Sequence, residues 1–180
     1  EAMSSAFANG LLGAGVEPGD RVTLYGPNSW QWVVAYYAIA KTGAVVNPVN
    51  TLLTPEEVQY ILRDCGARAI VASQDKAGAL MDMKGNAGLS EIVIWGEEEP
   101  QGVTPFQRLL DLGSPVFTLQ PRTRKDVGAI CYTSGTTGHP KGAIQSQRSI
   151  IATAKGTALM HGRTSTDTVV SPLPAPHVYG

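Results

Sequence analysis

The sequence predicts an α/β fold in which a mainly parallel sheet is flanked by helices. Short aliphatic runs centred near Thr23, Val46, Ile70 and Val93 recur at about the interval of one strand plus one helix. The segments between them carry apolar residues at helical spacing, bounded by helix-starting and helix-stopping residues. At 180 residues and 43% hydrophobic content the chain can bury a sizeable core, as one domain or part of a larger one.

Residues 21–26 (RVTLYG) form the first strand, after the turn Glu17-Pro18-Gly19-Asp20. Asn28 and Gln31 stand three apart as in a capping box, and Trp30, Val33, Val34, Tyr37 and Ala38 follow at helical spacing. Trp32, Tyr36 and Ile39 cover the other sides, so this helix is expected to be buried on most of its surface, with Gly43 ending it. Residues 44–48 read as a short buried strand. The next helix starts with Thr54 as cap, Pro55 at its first position and Glu57 three after the cap, and buries Val58, Ile61, Leu62 and Cys65 before Gly66 closes it. Residues 69–72 are strand-like, 75–84 a weaker helix, and 92–95 a fourth strand. Glu97-Glu98-Glu99 reads as a solvated loop, because three adjacent carboxylates cannot converge on one ion. Thr104-Pro105-Phe106-Gln107 repeats the cap pattern for a short helix through Leu109 and Leu110, and 115–125 is an irregular connection. Its basic end, Arg122-Thr123-Arg124-Lys125, reads as a solvated turn, with an anion site as the alternative. A fifth strand spans 128–132.

The net charge of −1 gives no electrostatic reason to bind nucleic acid or an anionic membrane. Two cysteines, Cys65 and Cys131, lie far apart without the spacing of a metal site or disulfide framework, and read as half-buried thiols in a reducing compartment. No apolar run approaches the ~20 residues that span a bilayer. The first residues lack a basic leader, which points to the cytoplasm. Glu1 opens directly into a helical pattern and the chain stops just past a strand exit, so a fragment of a longer protein is expected.

The chemistry concentrates in residues 131–142, CYTSGTTGHPKG. Four hydroxyl side chains, three Gly, one Pro and one Lys follow a strand, with no large aliphatic residue after Cys131. A Gly-rich loop at a strand exit turns several backbone N–H groups toward one anion, and Thr and Ser hydroxyls add donors without bulk. Lys141 supplies a mobile positive charge and Pro140 limits the freedom of the loop. The pattern is not a Walker A loop, because His139-Pro140 separates Gly138 from Lys141 and Gly142 follows. Nor is Gly13-Ala14-Gly15 a dinucleotide fingerprint, since it lacks a third Gly and precedes its strand. A flexible linker would account for Gly and Ser but not for Tyr132, Pro140 and Lys141 together.

YTSGTTGHPKG closely resembles the phosphate-binding motif of the adenylate-forming superfamily, which includes acyl-CoA synthetases, aryl-CoA ligases, beetle luciferases and peptide-synthetase adenylation domains. The resemblance covers nearly the whole chain: residues 19–71 resemble the early part of that family's large N-terminal domain, and PLPAPHVYG at 172–180 resembles its next motif. The His-Val-Tyr-Gly ending and Thr136 are closer to acyl- or aryl-CoA ligases than to peptide-synthetase domains. Residues 1–180 are thereby expected to be a partial N-terminal AMP-binding domain. Two departures stand out: Gln147 where many members have His, which bears on local packing, and Ala175-Pro176 where an aliphatic-Phe pair is common, which bears on the acyl pocket.

The resemblance implies an ATP-dependent acyl-CoA ligase for a fatty or aryl acid, using Mg²⁺ and coenzyme A. Thr133, Ser134, Thr136 and Thr137 would donate to the β- and γ-phosphates, Gly135 and Gly138 would admit the backbone, and Lys141 would balance charge. His177 would lie near the carboxylate and the α-phosphate. His139 and His161 are given no role and are expected in solvent, and no residue is assigned to the metal. The family's ribose-binding Asp and C-terminal adenylation Lys are not among these residues, so the chain alone is expected to be inactive. The acid, the thiol acceptor and the oligomeric state are not readable here. A luciferase-like or peptide-synthetase-type enzyme, and a non-catalytic α/β nucleotide-binding module, are the alternatives.

Overall fold

The aliphatic runs of the sequence become the centre of a sheet in a computed structural model that describes residues 1–98, 100–133 and 139–176. Its strands are β1 (Arg21–Tyr25), β2 (Val45–Val49), β3 (Ala67–Ser73), β4 (Glu91–Trp95), β5 (Thr104–Pro105), β6 (Val127–Thr133) and β7 (Lys141–Ser146). They lie in the order β5-β4-β3-β1-β2-β6-β7. Neighbours run parallel throughout except β6 and β7, which form an antiparallel hairpin at the edge. Helices α1 (Ala2–Gly13), α2 (Trp30–Lys41) and α5 (Phe106–Leu112) cover one face, while α3 (Pro55–Asp64) and α4 (Ala77–Ala87) cover the other. The last helix, α6 (Gln147–Met160), packs on the hairpin.

Successive side chains of a strand point to opposite faces, and here both faces are covered. Val22 and Leu24 of β1 enter the α1–α2 side with Val71 and Val93, whereas Ile70, Ile92 and Ile94 enter the α3–α4 side. One polar link crosses the centre: the Asn47 amide donates to Thr23 Oγ1 at 3.0 Å and to Cys65 Sγ at 3.4 Å, tying β1, β2 and the end of α3 together.

Helix α3 has the expected capping box, with Glu57 N–H donating to Thr54 Oγ1 at 3.3 Å and Thr54 N–H donating to the Glu57 carboxylate at 2.8 Å. At its far end Gly66 takes a φ of +61°, and the Arg21 guanidinium donates to the carbonyls of Cys65 and Gly66.

Three local expectations change. Ser29, not Asn28, caps α2, its Oγ accepting from Trp32 N–H at 3.1 Å. The buried face of α2 is Trp32, Val34, Ala35, Ala38 and Ile39, while Trp30, Val33 and Tyr37 remain 49, 50 and 58% exposed. Small Ala35 and Ala38 let α2 approach its neighbours closely, and that contact sets which side faces inward. Thr104 is not a cap, since Thr104–Pro105 instead adds a short parallel strand beside Val93 and Ile94.

Candidate active site

Because β6 runs parallel to β2, the connections that follow β1, β2 and β6 all emerge at the carboxyl edge of the sheet, where α/β folds hold their ligands. The Gly-rich segment connects β6 to β7 in the chain. Register pairs Thr133 with Lys141 and Tyr132 with Gly142, so the two expected phosphate-contacting residues Thr133 and Lys141 stand opposite each other at its neck. Both ends of the 133–142 stretch expected from sequence to be a loop are strand, with Thr133 closing β6 and Lys141 opening β7. Thr133 and Lys141 are exposed and Pro140 is buried. The other expected site residues, Ser134, Gly135, Thr136, Thr137, Gly138 and His177, lie outside the described residues.

Helix α3 meets this hairpin on both flanks. Tyr132 Oη donates to Asp64 Oδ2 at 2.5 Å, and burial together with that bond holds the phenol well above its usual titration range. The Tyr60 ring stacks on His139 with centroids 4.6 Å apart and planes 14° from parallel. His139, expected to be a solvent residue, is exposed but has this ring partner. His161 is exposed as expected. Gly142 keeps the Tyr132 ring in place, since a Cβ there would lie 3.1 Å from Tyr132 Cζ and 2.9 Å from Ile130 Cγ2.

A second approach comes from the loop after β1. Asn28 Nδ2 donates to the Leu173 carbonyl at 2.7 Å and Ala175 N–H donates to Asn28 Oδ1 at 2.7 Å. One amide thus holds the backbone on either side of Pro174, which stands three residues before His177 in sequence. Ala175 packs against the core beneath α2, and Pro176 is half-buried. Gln147 lies beside Gly128 at the opposite end of β6, a packing position remote from the loop.

The remaining candidates have structural roles. Asp126 accepts from Thr123 N–H at 2.7 Å and from Thr123 Oγ1 at 2.8 Å, which with nearby Arg122 holds its carboxyl below the usual range, so the basic segment is an internally bonded turn. Cys65 and Cys131 are free and half-buried on opposite faces, with burial pushing the Cys65 thiol up to about 11 and raising that of Cys131. Among the described residues no group of three or more His, Cys, Asp or Glu could hold a metal ion, and no helix is long and apolar enough to cross a membrane.

Comparison with known proteins decides the family. The family model of AMP-binding enzymes matches residues 1–180. The chain belongs to the AMP-binding enzyme family. It is 31% identical to the peroxisomal long chain acyl-CoA synthetase 7 of Arabidopsis thaliana, over 97% of this chain and 27% of that protein. Among solved structures it superposes on the anthranilate–CoA ligase AuaEII in complex with anthranoyl-AMP, with a TM-score of 0.82 and 34% identity over 86% of this chain and 30% of that one. It also superposes on ATP-bound MatB from Rhodopseudomonas palustris, with a TM-score of 0.87 and 28% identity over 99% of this chain and 35% of that one. The chain therefore spans 27 to 35% of the length of these family members.

Proposed function

We propose that the chain supplies the N-terminal, triphosphate-holding part of an ATP-dependent acyl-CoA ligase. The observation that carries this reading is the β6–β7 hairpin, which sets Thr133 against Lys141 at the neck of a Gly- and Thr-rich loop on the carboxyl edge of a parallel sheet. A carboxylate oxygen of the acid attacks the α-phosphorus of ATP, forming the acyl–phosphate bond as the bond to pyrophosphate breaks. The sulfur of coenzyme A then attacks the acyl carbon and AMP leaves with its electron pair.

In this reading the hydroxyls of Thr133, Ser134, Thr136 and Thr137 donate to the β- and γ-phosphate oxygens. Gly135 and Gly138 let the backbone come close, and Lys141 offsets the charge that builds on departing pyrophosphate. His177 stands by the carboxylate and α-phosphate, with its approach held by Asn28. Mg²⁺ would arrive on the phosphates of ATP, which suits an ion that keeps most of its waters, and would offset their charge beside Lys141. The cytoplasm is the proposed place of this work.

Two of the relatives named above, a long chain acyl-CoA synthetase and an anthranilate–CoA ligase, act by their names on a fatty and an aromatic acid, and this chain is proposed to serve an acid of the same broad class. The test is to incubate the full-length protein with MgATP, labelled pyrophosphate and a panel of straight-chain, branched and aromatic carboxylates. Exchange into ATP that depends on a carboxylate, followed by a thioester on adding coenzyme A, is the expected result. ATP binding without exchange for any acid would favour a non-catalytic binding module.

A further inference from the structure

We propose that helix α3 is the platform that sets the hairpin neck Thr133–Lys141, with Tyr60 and Asp64 as positioning residues that act through His139 and Tyr132. The inference rests on the adenylation reading above. Residues four apart on a helix share one face, and this face touches the hairpin twice. Tyr132 stands one residue before the Thr133–Lys141 neck and His139 two residues before Lys141, so the two contacts bracket residues 134–138.

The placement of Asp64 is the second observation. It is the last residue of α3, at the end where the helix dipole disfavours a carboxylate. Arg21 meets that end with two bonds to the Cys65 and Gly66 carbonyls, and Asp64 is given over to the Tyr132 hydroxyl, 68 positions away in sequence. A residue that breaks a local rule and makes a distant contact marks a position where function outweighs helix stability. The platform itself is rigid, since its opposite face buries Val58, Ile61 and Leu62 and its start carries both capping-box bonds.

A neck held at both flanks before the nucleotide arrives keeps Thr133 and Lys141 pre-organised, so affinity for ATP rises without a new contact to it. The effect belongs to ATP and not to the acid. In the full-length protein, Tyr60→Leu and Asp64→Ala should each raise KM for MgATP by about three- to tenfold, with KM for the carboxylic acid unchanged. Tyr60→Phe keeps the stacking ring and Asp64→Asn keeps an acceptor for the phenol, so both should restore KM. Tyr132→Phe removes the same bond from the hairpin side, leaves α3 intact, and should add nothing when combined with Asp64→Ala.

Hydrogen exchange of peptides spanning 132–142 gives an arm that needs no turnover: it should speed up in Tyr60→Leu, Asp64→Ala and Tyr132→Phe while α2 and α4 exchange as before. The proposal is overturned if KM for MgATP stays at the wild-type value, if KM for the acid rises in step with it, or if exchange of 132–142 is unaltered. Absence of carboxylate-dependent activity in the wild-type protein would overturn the adenylation reading instead, and the exchange arm would still decide the platform.

Discussion

Asn28 stands where a helix cap and a backbone clamp compete for one side chain. Asn and Ser are nearly equal as caps, so the adjacent pair Asn28-Ser29 does not announce which will serve. Once Ser29 caps α2, the Asn28 amide, with a donor and an acceptor, is free to hold a backbone carbonyl and N–H two residues apart. Asn28→Ala removes both bonds, and in the full-length protein it should raise KM for the acid at least about threefold more than KM for MgATP, because each bond is worth about 1 kcal/mol. Steady-state kinetics with both substrates varied checks this, and equal rises would place the clamp outside the acid site. At Cys65, burial pushes the folded thiol up to about 11, above the unfolded value of about 8.5. The sign follows: its contribution to stability is fully present below the unfolded value and fades as pH climbs through the folded one. Iodoacetamide at pH 9 should therefore label Cys65 about tenfold or more slowly in the native chain than in urea, as read by mass spectrometry of the Cys65 peptide.

At the scale of elements, what the sequence made legible is what depends on neighbours in the chain. The four aliphatic strands and the Thr54–Glu57 capping box arose from local pattern, and so did the Gly66 stop. Elements set by tertiary contact did not: Thr104–Pro105 becomes a strand only because β4 offers an edge, and two residues show no period. Helix α6 was not foreseen, since its Ser-, Thr- and Gly-containing sequence has weak helical preference and buries no residue fully. A pair of glycines separates the two situations. A Cβ on Gly113, between α5 and the hairpin, would sit 1.9 Å from the Ala6 carbonyl oxygen, whereas one on Gly156 in α6 would meet nothing within 4 Å. Gly113→Ala should thus destabilise the fold by roughly 1–3 kcal/mol. Gly156→Ala should stabilise α6 by up to about 1 kcal/mol. Urea unfolding of both variants tests the contrast, and equal midpoints would contradict this account of the packing.

Across the whole molecule, the sheet brings three separate stretches to one edge: the loop after β1 with Asn28, the hairpin from β6, and the segment 173–176 that Asn28 holds. The phosphate role proposed for residues 133–141 rests on residue types, because clustered Gly, hydroxyls and Lys admit few other uses. The supports of the hairpin neck were not legible in the sequence, since Tyr60 and Asp64 look like ordinary helix residues until the fold sets α3 beside the hairpin. Everything in the account converges on the hairpin neck as a holder of triphosphate charge. The most direct test is carboxylate-dependent pyrophosphate exchange by the full-length protein with Lys141 intact and with Lys141→Ala. Because Lys141 is exposed, its loss should leave the melting transition in place. The account predicts a fall in kcat/KM for MgATP of about 100-fold or more, equivalent to about 2.7 kcal/mol. An undiminished kcat/KM in the folded variant would contradict it.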